Sequence, residues 1–167
     1  MIALLLHEVD FKVPVAVSGL PWHDGDAENF DASSLRYALF PSRVTFSVGE
    51  TLVMGPRLLV PLFDLLSCMA WVLPDIRENK PASMNFTESA DRVLFNPSTG
   101  EAVEIVYAEA RSRPGAVYFH EARKVRVARE DLVDAFTGFL ASGLHLLTDN
   151  VPGLRQNQHV KALAAQL

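Results

Sequence analysis

An acidic segment between Trp22 and Asp31 carries the residues whose types and spacing come closest to a known chemistry. Its sequence, WHDGDAENFD, places carboxylates at alternate positions, as in loops that bind Ca²⁺. Aligned from Asp24, it fills the first three ligand positions of an EF-hand loop. Asn29 then stands where the loop needs glycine, and Leu35 stands where it needs a bidentate glutamate. Because the ligand set is incomplete, we expect no metal ion here.

The same segment has the composition of a binding surface. Trp22 and Phe30 are large apolar side chains in a polar stretch, and aromatic residues commonly anchor protein interfaces. The acids around them would steer a basic partner toward the segment. The predicted partner-binding residues are Trp22, Asp24, Asp26, Glu28, Phe30 and Asp31. The alternative is a solvated acidic loop in which Trp22 folds back as a local staple.

A second candidate surface lies on a strand predicted over residues 116–127. Regular alternation of side chains along a strand places one polar set on a single face. That set is Tyr118, His120, Lys124 and Arg126. Such a face could bind an anion or an acidic partner, and the alternative is a solvated outer face of a sheet. Residues 111–129 hold six basic residues and one acid, a local charge of +5 in a chain of net charge −5.

The remaining groups that could do chemistry form no motif. The five histidines have no metal-ligand spacing among themselves or with nearby acids. The single cysteine, Cys68, allows no internal disulfide and lies in an apolar stretch, as expected for a buried and inert thiol. Phosphate-loop, dinucleotide-binding, nucleophile-elbow and Cys-x-x-Cys motifs are absent from the sequence. We therefore expect no catalytic residue, no cofactor and no metal site.

Length and composition predict a single globular domain over residues 1–167. The net charge of −5 argues against a nucleic-acid partner. The N-terminus lacks the basic region of a signal peptide, and the longest apolar stretch, residues 58–73, contains Asp64 and is too short to span a bilayer. We expect a cytoplasmic protein with no membrane contact, and the abundance of Arg, Ala and Val is typical of GC-rich bacteria.

Short strands separated by turns must position most of these residues. Residues 3–17 alternate as a half-buried strand, and residues 18–34 are predicted to form the longest loop. Residues 43–54 read as a strand or hairpin with its turn at Gly49 and Glu50. Further strands are predicted over residues 83–88, 92–95, 102–109 and 116–127.

Three helices complete the prediction. An apolar helix opens at Gly55 and runs to about Leu73, and Pro61 either kinks it or marks its true start. A long amphipathic helix begins at Glu130, and a shorter helix follows from about Arg155. Trp71 is predicted to lie in the core with Phe63 and Met69. The residues expected to pack together are Leu62, Leu65, Leu66, Met69, Phe136, Phe139 and Leu140.

The predicted fold class is therefore α+β. We expect an antiparallel sheet of about five to seven strands, with one inserted buried helix and two C-terminal helices packed on a face. The C-terminal pattern of helix, Pro-Gly-Leu, Arg-Gln-Asn-Gln-His-Val and helix resembles small bacterial α+β proteins of the polymorphic-toxin immunity type. The likeness covers residues 130–167 and the order of elements.

That resemblance implies a cytoplasmic protein that blocks a cognate toxin, and it carries no functional residues with it. We expect a non-catalytic protein-binding module, with an immunity protein against a basic toxin as its specific form. The alternative is a small-molecule-binding domain or an enzyme with a pocket between sheet and helices. A binder should present a surface patch of aromatic and charged residues. An enzyme should present an enclosed cavity with convergent polar groups and shifted pKa values.

Overall fold

The computed structural model describes residues 1–11, 24–55, 59–86, 89–114 and 116–167. These residues form two four-stranded antiparallel sheets and four α-helices, which confirms the α+β class. The prediction of one sheet of five to seven strands is wrong. The strands that precede the long apolar helix pair only with one another, and the strands that follow it form the second sheet.

The first sheet is built around one central strand. Its strands are β1 (Ile2–Val9), β2 (Pro41–Val48), β3 (Thr51–Met54) and β4 (Leu59–Pro61). β1 pairs along one side of β2, while β3 and β4 share the other side. Gly49 has a φ of +56° in the predicted turn between β2 and β3, a conformation that glycine adopts without steric cost. Residues 12–17 of the strand predicted over 3–17 lie outside the described residues.

The second sheet ends in a long hairpin. Its strands, in spatial order, are β5 (Ala82–Asn85), β6 (Arg92–Pro97), β7 (Ala102–Arg113) and β8 (Ala116–Ala128). Pairing between β6 and β7 stops at Arg92 and Ala108, whereas β7 and β8 stay paired to Arg113 and Ala116. The hairpin therefore continues beyond β6 as a two-stranded ribbon. We call residues 109–114 and 116–121 the arm.

Four α-helices and two short 3₁₀ helices join the strands. The α-helices are α1 (Ala32–Tyr37), α2 (Leu62–Arg77), α3 (Arg129–Asn150) and α4 (Gln158–Ala164), and the 3₁₀ helices are Asp24–Asn29 and Pro152–Arg155. α2 begins directly after Pro61, so this proline marks the start of the helix, and Pro74 lies inside the helix. The loop predicted over residues 18–34 is wrong in its described part, which is mostly helical. No helix of the described residues is long and apolar enough to cross a bilayer.

One hydrophobic core joins both sheets through α3. The buried ring of Phe136 meets Phe46 of β2 at a centroid distance of 5.9 Å and Phe95 of β6 at 5.6 Å, both edge-on. α2 and α3 approach closely at Gly143, where an added Cβ would lie 2.7 Å from Cδ2 of Leu66. The predicted core residues are buried, except that Phe139 is only partly buried against the core.

Trp71 is not in the core, contrary to the prediction. Its side chain is 79% exposed, while Phe63 and Met69 on the same helix are buried. Exposed and half-buried positions recur along α2 at residues 67, 68, 71, 74 and 75, the spacing of a single helical stripe. This stripe of an almost wholly apolar helix is left uncovered, and it carries the tryptophan.

Candidate protein-binding surface

The acidic segment predicted to bind a partner is only partly described. Trp22 lies outside the described residues, and Asp24 opens the first 3₁₀ helix. Asp26 and Glu28 on that helix are exposed to solvent. These two acids can therefore meet a partner, and partner binding by the segment stays a prediction.

Phe30 and Asp31, at the end of the same segment, have roles within the fold. Phe30 is half-buried and packs against the core. The carboxylate of Asp31 accepts a hydrogen bond of 2.7 Å from the backbone N–H of Ser34 and so caps α1. That hydrogen bond lowers the pKa of Asp31 below its usual value.

A buried asparagine holds this segment against the C-terminal part of the chain. Nδ2 of Asn157 donates hydrogen bonds to the backbone carbonyl oxygens of Ala27, Glu28 and Phe30, at 3.0, 3.2 and 2.8 Å. Its Oδ1 accepts from the backbone N–H of His159 at 2.9 Å and so caps α4. One side chain therefore fixes the position of a segment more than a hundred residues away along the chain.

A β-bulge interrupts β8, the strand of the second candidate surface. Tyr107 pairs with Arg123 and Ala108 pairs with Glu121, which leaves Ala122 as an extra residue in β8. Directly paired residues point to the same face of a sheet, and an extra residue shifts the alternation of its strand by one. On a given face of the sheet, β8 therefore presents even-numbered residues on one side of Ala122 and odd-numbered residues on the other.

The bulge separates the four residues that were predicted to share a face. Their pairing with β7 places Tyr118 and His120 on the same face of the sheet as Ile105, which is buried in the core. Lys124 and Arg126 lie on the opposite face. The prediction of one basic face is therefore wrong, because regular alternation does not continue through Ala122.

Neighbouring acids match half of the cations in the basic stretch. The pairs are Arg111 with Glu109, Lys124 with Glu104 and Arg129 with Glu101, at N–O distances of 3.3, 2.9 and 3.0 Å. These acids come from β7 and the turn before it, so they lie outside the stretch whose sequence charge is +5. The surface is consequently less basic than the sequence of residues 111–129 indicates.

Apolar side chains are exposed on both faces of the arm. Val117 and Phe119 lie on one face and are 62% and 39% exposed, while Tyr118 lies on the other and is 37% exposed. Every described residue from 111 to 121 is exposed. A ribbon of two strands has little stability of its own, and these side chains add little burial to the fold. Clustered exposed apolar groups of this kind mark interaction sites.

Arginine side chains cover two rings of the arm. Cζ of Arg92, at the start of β6, lies 3.8 Å from the ring centre of Phe119. Cζ of Arg113 lies 4.7 Å from the ring centre of Tyr118. Cation–π contacts of this kind contribute about 0.5–1 kcal/mol at exposed sites. They hold both rings in defined positions while leaving them accessible.

Asp91, the residue immediately before β6 begins, anchors the base of the arm. Its carboxylate accepts hydrogen bonds from the Tyr107 hydroxyl at 2.7 Å and from the backbone N–H of Ala110 at 2.9 Å. Burial acts to raise the pKa of Asp91, but hydrogen bonds from Tyr107, Ala110 and Ser89 outweigh it and lower that pKa below its usual value. Beside Ala110, the carboxylate thus takes the place of β6, whose pairing with β7 stops at Ala108.

Asp91→Ala should therefore lower the free energy of unfolding by about 1–3 kcal/mol at pH 7, since it removes a charged acceptor from two donors. Because the folded-state pKa is lowered, this stabilisation is present above the usual carboxyl pKa and is lost as pH falls through the folded value. Denaturant titrations at pH 7 and near pH 3 check this. An equal difference between variant and wild type at both pH values would contradict the anchoring role.

Another exposed aromatic side chain, Trp71, lines a cleft of about 350 Å³ beside β5. Cys68 lies in the same cleft, with its Sγ 3.4 Å from the backbone oxygen of Asn85. Burial, followed by the nearby charge of Asp64, raises the pKa of Cys68 to about 11. The thiol is therefore protonated near neutral pH and is a poor nucleophile there. Arg36, on the rim, is held by Asp64 with an Nε–Oδ1 distance of 2.8 Å.

The alternative function required a pocket between sheet and helices, and an apolar groove of about 520 Å³ does lie between β1 and α3. The groove is open along its length, and most of its lining is aliphatic or aromatic. Cys68 and Tyr107, the described groups whose pKa is raised most, lie elsewhere. The groove thus lacks the convergent polar groups that a small-molecule site or an active site needs.

The arm is the strongest candidate surface among the described residues. It combines three exposed apolar side chains, two ring-covering arginines and a defined anchor, whereas the cleft exposes one aromatic side chain. The sequence signal for the arm was the run Val117-Tyr118-Phe119 next to a turn, which alternation alone divided between a core face and an outer face. No protein-family model matches the chain, and it has no significant similarity to a curated protein or to a solved structure.

Proposed function

We propose that this chain is a non-catalytic protein-binding module and that the arm contacts its partner. The observation that carries the proposal is the exposure of Val117, Tyr118 and Phe119 on a ribbon that is solvated on both faces. Apolar surface left in water costs free energy, which burial against a partner recovers at about 25 cal/mol per Å². Aromatic side chains are also the residues that most often dominate interface energies.

The contacts that the two rings make with arginine side chains support the same proposal. Arg92 and Arg113 lie over Phe119 and Tyr118, and Asp91 holds the base of the ribbon. Side chains that are already positioned lose less conformational freedom on binding, so more of their contact energy appears as affinity. The arm therefore has the properties of a preformed interface element.

The more specific form of the proposal is an immunity protein with a basic toxin as its partner. It is supported by the net charge of −5 and by the exposed carboxylates of Asp26 and Glu28. Residues outside the stretch 111–129 together carry a charge of −10. A surface of this sign attracts a cationic protein over distances of about a Debye length, roughly 8 Å at physiological salt.

The double substitution Tyr118→Ser/Phe119→Ser should weaken partner binding by about 2 kcal/mol or more, a roughly 30-fold loss of affinity. The partner is first captured from the source cells with the wild-type protein, and its affinity for each variant is then titrated. Trp71→Ser is the matched control, because it also removes an exposed aromatic side chain, near the opposite edge of the second sheet. It should bind like the wild type. Both variants should unfold cooperatively well above the assay temperature, with the double variant at a slightly lower melting temperature because it loses two cation–π contacts.

Equal affinity for the wild type and the double variant would remove the arm from the proposal. The same titration with Trp22→Ala and with Asp24→Lys/Asp26→Lys then tests the acidic segment as the contact surface. A loss of affinity there, together with a steep decrease as salt rises, would assign binding to that segment. Failure to capture any protein with the wild type would contradict the binding function itself.

A further inference from the structure

The groove between β1 and α3 has one wall formed by the strand and one formed by the helix. Ile2, Leu4 and Leu6 line it from the strand, and Gly138 and Phe139 line it from the helix. Gly138 has no atom within 4 Å of the position where a Cβ would stand, so this part of the groove is open. The lining from these residues is thus apolar. The groove runs beside the outer edge of the first sheet, because β1 pairs with β2 on its other side.

Among the described strands, only β2 pairs with β1, so no described strand covers this edge. The N–H of Gly49 donates to the carbonyl of Met1 at 2.8 Å, and Ile2 stands opposite Val48 in the register. In an antiparallel pair, hydrogen-bonded and non-hydrogen-bonded positions alternate. Ile2 therefore occupies a non-hydrogen-bonded position, and so do Leu4 and Leu6, whose N–H and C=O groups point away from β2.

The three residues with outward backbone groups are also the three that line the groove. No hydrogen bond from another described residue reaches the outward groups of Ile2, Leu4 or Leu6. The register shifts between Leu6 and Glu8, so the regular free edge ends there. The edge is long enough for a strand of about five residues, at roughly 3.4 Å per residue.

Acidic side chains lie in the groove and on the helix beside it. Asp134 lines it directly, and Asp131 lies one helical turn earlier on the same side of α3. Both residues are exposed, so their carboxylates stay available to solvent or to a ligand. None of the described residues that line the groove is a cation. The groove therefore complements an apolar segment that carries a positive charge.

We propose that the groove binds an extended, cationic polypeptide segment by β-strand addition to β1. The backbone of the segment would pair with Ile2, Leu4 and Leu6, which accounts for the free polar groups at a rim that is otherwise apolar. Alternate side chains of the segment would enter the groove toward Phe139, and a Lys or Arg would reach Asp134. This site is separate from the arm and does not depend on the function proposed for it.

A second copy of this chain fits the edge less well than a cationic segment does. Each copy carries a net charge of −5, and its groove brings Asp131 and Asp134 with it. Pairing of two β1 strands would place these like charges at one interface, where like-charge juxtaposition is unfavourable. The acids thus select the partner's charge, and the strand edge selects its extended conformation.

The probe is a library of random twelve-residue peptides displayed on phage and selected on the wild-type protein. We expect enriched peptides to contain alternate apolar residues and at least one Lys or Arg. Gly138→Trp fills the groove and should weaken a synthetic peptide of this class by about tenfold or more, whereas Gly138→Ala should change its affinity less than about twofold. Tyr118→Ser/Phe119→Ser should bind it like the wild type.

N-methylation of the peptide gives a readout that leaves the protein unaltered. Methyl groups on alternate amides should weaken binding by about tenfold, and methyl groups on the intervening amides should have little effect, since only alternate N–H groups face β1. Absence of enriched peptides, equal affinity for Gly138→Trp, or insensitivity to N-methylation at every position would overturn the proposal. So would a wild-type dimer that Gly138→Trp converts to a monomer, because the edge would then belong to a second copy.

Discussion

Phe136→Ala should lower the free energy of unfolding by about 3–5 kcal/mol. The ring of Phe136 is fully buried and lies between Phe46 of the first sheet and Phe95 of the second. Truncation removes both edge-on contacts and leaves a cavity where the two sheets meet α3. Because this ring contacts both sheets, its loss should destabilise the whole domain and not only one local element.

Chemical denaturation of the wild type and the variant measures this effect. Phe139→Ala is the matched control, because it removes the same ring from the same helix at a half-buried position. Its cost should be clearly smaller, since less apolar area is returned to water. A loss below about 1 kcal/mol for Phe136→Ala would mean that the ring does not join the two sheets.

Asn157→Asp should be about as costly, roughly 3–5 kcal/mol at pH 7, although the two side chains have nearly the same shape. In the wild type, Nδ2 of Asn157 donates to three carbonyl oxygens, and Oδ1 caps α4. The substitution keeps the capping oxygen but replaces the donor with a second oxygen. A buried carboxylate would then face three acceptors without a donor between them. The segment with Ala27 and Phe30 should separate from α4 as a result.

The destabilisation by Asn157→Asp should become smaller at low pH. Burial and the surrounding carbonyls would raise the pKa of the new carboxyl group, so protonation would restore a donor as pH falls. Denaturation at pH 7 and near pH 4 measures this recovery. Asn150→Asp, at an exposed position at the end of α3, is the control and should cost less than about 1 kcal/mol at either pH. An equal cost at both positions would contradict the role given to Asn157.

Features that depend on a few adjacent residues could be predicted from the sequence. The hairpin between β2 and β3 follows from alternating apolar residues on either side of Gly49, which supplies the positive φ of the turn. The sequence offered Pro61 as one of two alternatives, a kink in a helix that opens at Gly55 or the true start, because proline has no backbone N–H and is favoured in the first turn of a helix. The structure has the second alternative, with β4 ending at Pro61 and α2 beginning at Leu62. Burial of Phe136 follows from helical spacing along α3.

Features that depend on distant parts of the chain could not be predicted in this way. The number of strands was nearly right, but which strands share a sheet is decided by pairing between residues far apart in sequence. α2 is apolar nearly all round, so its sequence did not show which side would remain uncovered and expose Trp71. The contact of Asn157 with Ala27 joins segments 130 residues apart, and neither segment shows it in its sequence.

The bulge in β8 left a signal that regular alternation obscured. Between Phe119 and Val125, the positions expected to be apolar hold Glu121 and Arg123. A break of this kind inside an alternating strand indicates an extra residue. With the bulge placed there, the sequence would have divided Tyr118 from Lys124 correctly, and the arm would have been recognised as a surface with two different faces.

That single extra residue also decides which side chains each face of the arm exposes. If Ala122 joined the regular ladder, pairing in the arm would slip by one residue, and the turn after Arg113 would gain a third residue. Val117 and Phe119 would then exchange faces with Tyr118 and His120. Substitutions at the bulge or the turn that favour one register would therefore change both faces at once. The surface that each face presents would change in this way while the sequence of the arm itself stays the same.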